Sequence, residues 1–171
     1  MYSSGRCSGC VVDIGDGVTH VLPINEGYAI PYAMVGSNLA GSDLTKYLSQ
    51  ILRFRGANID AVKGIKESIC YVAADFDSAL KESTVSVAHE KLYSLPDGRT
   101  IKVGDERFRC PELLFNPSLA NFPQEGLQNH LFDSIQKCDY DTRRDLFSNI
   151  ILGGGSTLFE GISERLWQEV H

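Results

Sequence analysis

Val11-Val12-Asp13-Ile14-Gly15-Asp16-Gly17-Val18-Thr19-His20 is an apolar strand that turns through two glycines and two aspartates and then enters a second strand. Gly15 and Gly17 leave the backbone of that turn uncovered. A polyphosphate could therefore approach the Gly17 and Val18 amides while Asp13 and Asp16 face its magnesium ion. The same residues suit an ordinary hairpin, because Asp-Gly is also the commonest short hairpin signal. Taken alone, the stretch leaves both readings open.

Composition narrows the classes. A chain of 171 residues, 43% hydrophobic and 22% charged, has the size and balance of about one globular unit. Its net charge of -6, with no Lys/Arg run to offset it locally, argues against direct nucleic-acid binding, which relies on basic surface. An anionic ligand must then be held by a focused site. The cysteines at 7, 10, 70, 110 and 138 are odd in number and lack a disulfide-rich rhythm, which suits free thiols in a reducing compartment. Cys7 and Cys10 form a Cys-x-x-Cys, but no second Cys/His pair stands at ligand spacing, so core thiols are the expectation. Met1 leads into polar residues and no apolar run approaches membrane-spanning length, so neither a leader nor a membrane partner is expected. A cytoplasmic location follows, with the nucleus also open.

Outward from the opening stretch, residues 9–13, 18–24 and 28–32 read as an antiparallel meander. Leu44, Tyr47, Leu48, Ile51 and Leu52 recur at helical spacing, with Ser42 or Asp43 as N-cap and Gly56 as the stop. A second helix is expected over 59–75, with Val62, Ile65, Ile69 and Val72 on its buried stripe and Lys63, Lys66, Glu67 and Cys70 on a polar one. Residues 78–88 are polar and weakly periodic. Residues 91–103 read as two strands around Pro96-Asp97-Gly98, and 126–138 and 141–147 read as helical. Near the end, Asn149 to Leu152 is a short buried strand and Gly153-Gly154-Gly155-Ser156-Thr157 breaks it. A helix over 160–170 then buries Ile162, Leu166 and Trp167. Strand, glycine turn and helix is an anion-binding arrangement, and equally a tight βα connection.

The segments Gly15-Asp16-Gly17-Val18-Thr19-His20, Leu39-Ala40-Gly41-Ser42-Asp43-Leu44-Thr45, Ile65-Lys66-Glu67, Leu95-Pro96-Asp97-Gly98, 106–112 and Gly154-Gly155-Ser156-Thr157 resemble actin and actin-related proteins, in the family's order and over nearly the whole chain. The resemblance implies an α/β fold with mixed α+β features. It is that of the second lobe of an actin-like ATPase, RNase H-like, with a mixed sheet, flanking helices and a helical insert. The chain looks like that lobe without its C-terminal end. Residues 1–38 and 105–171 would form the incomplete core, and 39–104 the smaller inserted subdomain.

The resemblance also implies roles. Asp13 matches the aspartate that reaches the metal through water, and His20 the histidine near the attacking water, so these two are the catalytic candidates. Gly15, Asp16, Gly17 and Val18 match the phosphate cradle, and Gly41 a glycine near the ribose. Lys66 and Glu67 match the pair that meets the adenosine; Lys63 stands where actins carry arginine; Gly154, Gly155 and Thr157 match the adenine-side turn. The implied cofactor is ATP or ADP with Mg2+. Implied partners are other actin or actin-related subunits and actin-binding proteins, with a cytoplasmic, cytoskeletal setting.

Departures accompany the likeness. Ile14 stands where the family has a serine, removing a hydroxyl expected near a terminal phosphate, and Asn38 and Ser42 replace an aspartate and an arginine. The segment Asn121-Phe122-Pro123 falls at the tip of the family's plug loop, where Phe122 is either a partner anchor or a collapsed residue. Three functions compete. One is part of a filament-forming cytoskeletal ATPase, supplying half of a nucleotide cleft and weak or inactive alone. Another is a non-catalytic actin-related scaffold in a motor-adaptor or chromatin complex. The third, a metabolic kinase of the same superfamily, is disfavoured by the specific strings.

Overall fold

A computed structural model describes residues 5–52 and 58–170. Its first element is β1 (Gly9–Ile14), whose alternation sends Cys10, Val12 and Ile14 into the core and leaves Asp13 on the opposite, exposed face. The Gly15 N–H donates to the Val18 carbonyl (3.0 Å) and closes the turn into β2 (Thr19–Asn25), which pairs antiparallel with β1. The third strand of the expected meander is broken. β3 (Tyr28–Ala29) pairs with the far end of β2, Pro31–Ala33 make a 3-10 turn, and β4 (Val35–Ser37) returns to pair with the near end. Pro31 lacks the N–H that a continuous ladder would need there.

α1 (Gly41–Ile51) begins ahead of the expected Ser42 or Asp43 cap, with Ala40 in the cap position. The reason is tertiary. Its first amides, Gly41 and Ser42, donate to the carbonyls of Gly15 and Asp16 (3.0 and 2.7 Å), so the orphan donors of the helix end are satisfied by the first turn rather than by a side chain. The expected stop at Gly56 lies outside the described residues.

α2 (Ile59–Ile69) is shorter than the expected 59–75, with Asn58 Oδ1 accepting from the Ala61 amide at its N-cap (2.9 Å). Cys70 is extended, the Tyr71 amide donates to the Arg107 carbonyl and the Val72 amide to the Glu160 carbonyl, so other segments take the chain out of the helix. Asp75, expected at the end of that helix, instead caps α3 (Phe76–Val85) by accepting from the Ser78 amide (3.1 Å). β5 (Lys91–Ser94) and β6 (Thr100–Val103) form the expected hairpin, followed by α4 (Glu106–Glu112).

After a 3-10 turn at Pro117–Ala120, Phe122 is half-buried against the core, which is the collapsed alternative for that loop. α5 (Leu127–Gln136) and α6 (Tyr140–Ser148) lead into β7 (Ile150–Gly153), which lies parallel to β1. α7 (Ile162–Val170) follows. The five-stranded sheet therefore mixes an antiparallel meander with one parallel strand, and the fold is the mixed α/β arrangement expected. One apolar cluster runs from the inner face of β1 through α1, α2, α4, α5 and α7. Cys10 lies in it, and burial pushes its thiol up to about 12.

Trp167 is not part of that core. It is 61% exposed, whereas Ile162, Leu166 and the charged Arg165 are buried on that helix. The Arg165 guanidinium donates to both carboxylate oxygens of Glu112 (3.0 and 3.1 Å), to the Ala73 carbonyl and to Glu169, and it lies 4.9 Å from the Phe115 ring centroid. Each of its polar edges is satisfied, which is the condition for keeping a cation inside.

Burial pushes the Glu112 carboxyl above the usual range while Arg165 pulls it back. Arg165→Met removes the opposing charge, so Glu112 should take up a proton far more readily folded than unfolded. A raised folded pKa gives stability that is present at low pH and lost as pH rises through it. The variant should be about 3–5 kcal/mol less stable near pH 8, with the deficit shrinking toward pH 5. Urea denaturation at both pH values measures this, and a deficit independent of pH contradicts it.

Candidate nucleotide site

The register of the sheet sets one row of side chains. Asp13 is opposite His20 on one side and Gly153 on the other, and His20 is in turn opposite Gly36. A carboxylate and an imidazole thus stand side by side on the face away from the core, flanked on both sides by glycines. A Cβ at Gly36 would lie 3.5 Å from His20 Cδ2, and one at Gly153 would lie 3.3 Å from Asp13 Oδ1. The flanks are open because no side chains fill them.

At the end of that row three segments are tied together. The Gly15 carbonyl accepts from the Gly41 amide (3.0 Å) and from Ser156 Oγ (3.2 Å), joining the first turn, the start of α1 and the turn after β7. The Lys66 ammonium, only 4% exposed, donates to the Gly41 carbonyl (2.9 Å) and brings in α2. The expected polar stripe therefore needs correcting. Lys66 and Cys70 are buried, whereas Lys63 and Glu67 are exposed. Lys66 escaped the periodicity because its aliphatic stem packs inward while its charge finds a carbonyl.

Two glycines are required by this arrangement. A Cβ at Gly41 would sit 2.7 Å from Ser156 Oγ and 3.1 Å from Asp16 Oδ1. Gly154 has φ +86° and a Cβ there would collide with the Ile14 carbonyl.

Around this junction opens a pocket of about 280 Å³ lined by Gly15, Asp16, Lys63, Lys66, Glu67, Gly155, Ser156, Leu158 and Phe159. Six of the residues expected from sequence meet here. Asp13 and His20 lie in the adjoining strand row, Gly41 and Gly154 behind the lining, and the Thr157 hydroxyl donates to the Gly154 carbonyl (2.7 Å), bracing the turn. Gly17 and Val18 are exposed at the turn, and no hydrogen bond of the described protein engages their amides. Ser156, Leu158 and Phe159 went unread in the sequence. Leu158 is 84% exposed at the pocket's edge.

Ile14 is fully buried in the core cluster. Its side chain is not among those that line the pocket. The donor set fits a magnesium polyphosphate. Unengaged turn amides suit phosphate oxygens, two exposed carboxylates suit a hard, hydrated cation, and Lys63 adds positive charge at the wall. Among the described residues, no helix is long and apolar enough to cross a membrane.

The family model for actin matches residues 1–62 and 55–171, which together span the whole chain. Actins generally bind nucleotide with magnesium and are typically cytoskeletal proteins of the cytoplasm.

Paired substitutions separate conformational need from free space. Gly154→Ala should destabilise the chain by about 1–3 kcal/mol from backbone strain alone, whereas Gly155→Ala, whose Cβ would meet nothing within 4 Å, should stay within about 0.5 kcal/mol of the parent. Thermal melts of both decide it. Equal effects would contradict the assigned geometry.

Proposed function

The chain belongs to the actin family, and from that premise we propose that the pocket beside Gly15 and Lys66 holds the adenosine of ATP or ADP while the Gly15–Val18 turn holds its phosphates. The observation that carries this reading is the convergence of Gly15, Asp16, Lys63, Lys66, Glu67 and Gly155, from three separate parts of the sequence, on one cavity. Glu67 and Lys63 are the exposed polar groups at the nucleoside end, and Leu158 and Phe159 supply apolar surface for a base. Magnesium bound there would neutralise phosphate charge. Asp13 would orient its water shell and His20, its neighbour across the ladder, would face an attacking water.

In this reading residues 1–38 and 105–171 form the sheet-bearing part and 39–104 the smaller subdomain. Partners are other actin-type subunits and proteins that bind them, in a cytoplasmic, cytoskeletal setting. The scaffold alternative drew on Ile14 and Ser42; Ile14 packs in the core, and neither side chain lines the pocket.

One wall supplies only part of a nucleotide's contacts, and the remainder must offset lost rigid-body freedom. Calorimetry with Mg-ATP should therefore give a dissociation constant well above about 1 µM. Lys63→Ala should weaken binding several-fold more with an unchanged melting temperature, since the side chain is exposed. Sub-micromolar affinity, or no effect of Lys63→Ala on measurable binding, would count against the assignment.

A further inference from the structure

The loop from Asn116 to Gly126 is pinned at its stem. There the Leu127 amide donates to the Leu114 carbonyl (2.8 Å), and the Gln128 side-chain amide donates to the Phe115 carbonyl (3.0 Å). Past the stem, Leu119, Ala120 and Phe122 pack half-buried against the core. Among the described residues one hydrogen bond joins this part of the loop to another element, from Ser37 Oγ of β4 to Gln124 Oε1 (2.9 Å). His130 of α5 borders the same seat. Its side chain shares a space of about 10 Å³ with Thr19, Ser37, Leu39, Leu114 and the loop's own Glu125, room for about one water.

We propose that His130 is a proton-operated latch for this loop. Neutral, it sits in the seam between α5, the loop and the adjoining ends of β2 and β4. Charged, it leaves the seam, and the loop comes away from Ser37 and uncovers Phe122.

The seam opposes a charge in three ways. The ring is half-buried beside leucines, with too little space for a hydration shell. α5 begins at Leu127, so His130 stands in its first turn, where the helix dipole disfavours a cation. Among the described residues, no protein group hydrogen-bonds either ring nitrogen. The charged groups that face the ring are two carboxylates, Glu125 on the loop and Asp133 on α5 itself, and both favour the imidazolium. Burial outweighs them and holds the imidazole below the usual histidine range. A released ring lies in water and titrates in that usual range, so the released state binds a proton more readily than the seated one. Lowering the pH through this window therefore favours release, and the effect levels off below the seated value.

Hydrogen exchange on the 171-residue chain, corrected for the intrinsic effect of pH on amide exchange, tests the latch. From near pH 7.5 to near pH 5, protection of the Asn121 and Phe122 amides should fall at least about threefold, while the Leu127 amide at the stem and the amides of β1 keep theirs. His130→Gln, which cannot take up the charge, should make loop protection independent of pH. Proton NMR of the His130 ring in the parent should give a midpoint below that of a histidine in an unstructured peptide. The two parent-chain readings decide the matter if His130→Gln does not fold. Loop protection unmoved by pH, a response that persists in His130→Gln, or a midpoint at or above the peptide value would each overturn the proposal. So would loss of protection at Leu127 and β1 in step with the loop, which would be acid unfolding of the whole chain.

Discussion

The Gly15 carbonyl is the point on which the site depends. It accepts from Gly41 at the head of α1 and from Ser156 in the turn after β7, while Lys66 reaches the next carbonyl along, at Gly41. Four segments far apart in sequence are held by these few bonds, and a Cβ at Gly41 or Gly154 would force them apart. The cost of burying an ammonium at Lys66 is offset by its hydrogen bond to the Gly41 carbonyl, which also accepts from the Thr45 hydroxyl (3.0 Å).

Two faces of the same strand divide the labour. Cys10, Val12 and Ile14 fill the core, and the intervening Asp13 stands in the row with His20 on the open face. The strand period of two therefore separates core packing from the proposed site within six residues. Ile14 belongs wholly to the first task, so a residue that looks like an imperfection in a phosphate loop is a packing choice. Arg165 and Glu112 serve a similar end at the other side of the molecule, pinning α7 to α4 and to the extended chain at Ala73.

Much of this was legible in the sequence, because the strand alternation around Asp13 and the stripes of α1, α5 and α7 are local signals. The glycine turns carried the site, since only glycine serves where backbones close in. What stayed hidden depended on distant partners. α2 ends at Ile69 because Arg107 and Glu160 take the next amides; Lys66 is buried because Gly41 offers a carbonyl; Arg165 is buried because Glu112 and the Ala73 carbonyl accept its guanidinium. None of these partners lies within a helical turn of the residue it redirects. Leu158 and Phe159 were missed for another reason, since apolar residues after a turn look alike whether they face a core or a ligand.

The account turns on the Gly15–Val18 turn and the Gly155–Ser156 turn acting together as one nucleotide wall. Amide NMR during titration with a magnesium-bound, non-hydrolysable ATP analogue tests this most directly. The account predicts shifts at Gly15 to Val18, at Gly155 and Ser156, and at Lys63 and Glu67, with β5 and β6 unmoved. Shifts confined to another surface, or none at millimolar ligand, would contradict it.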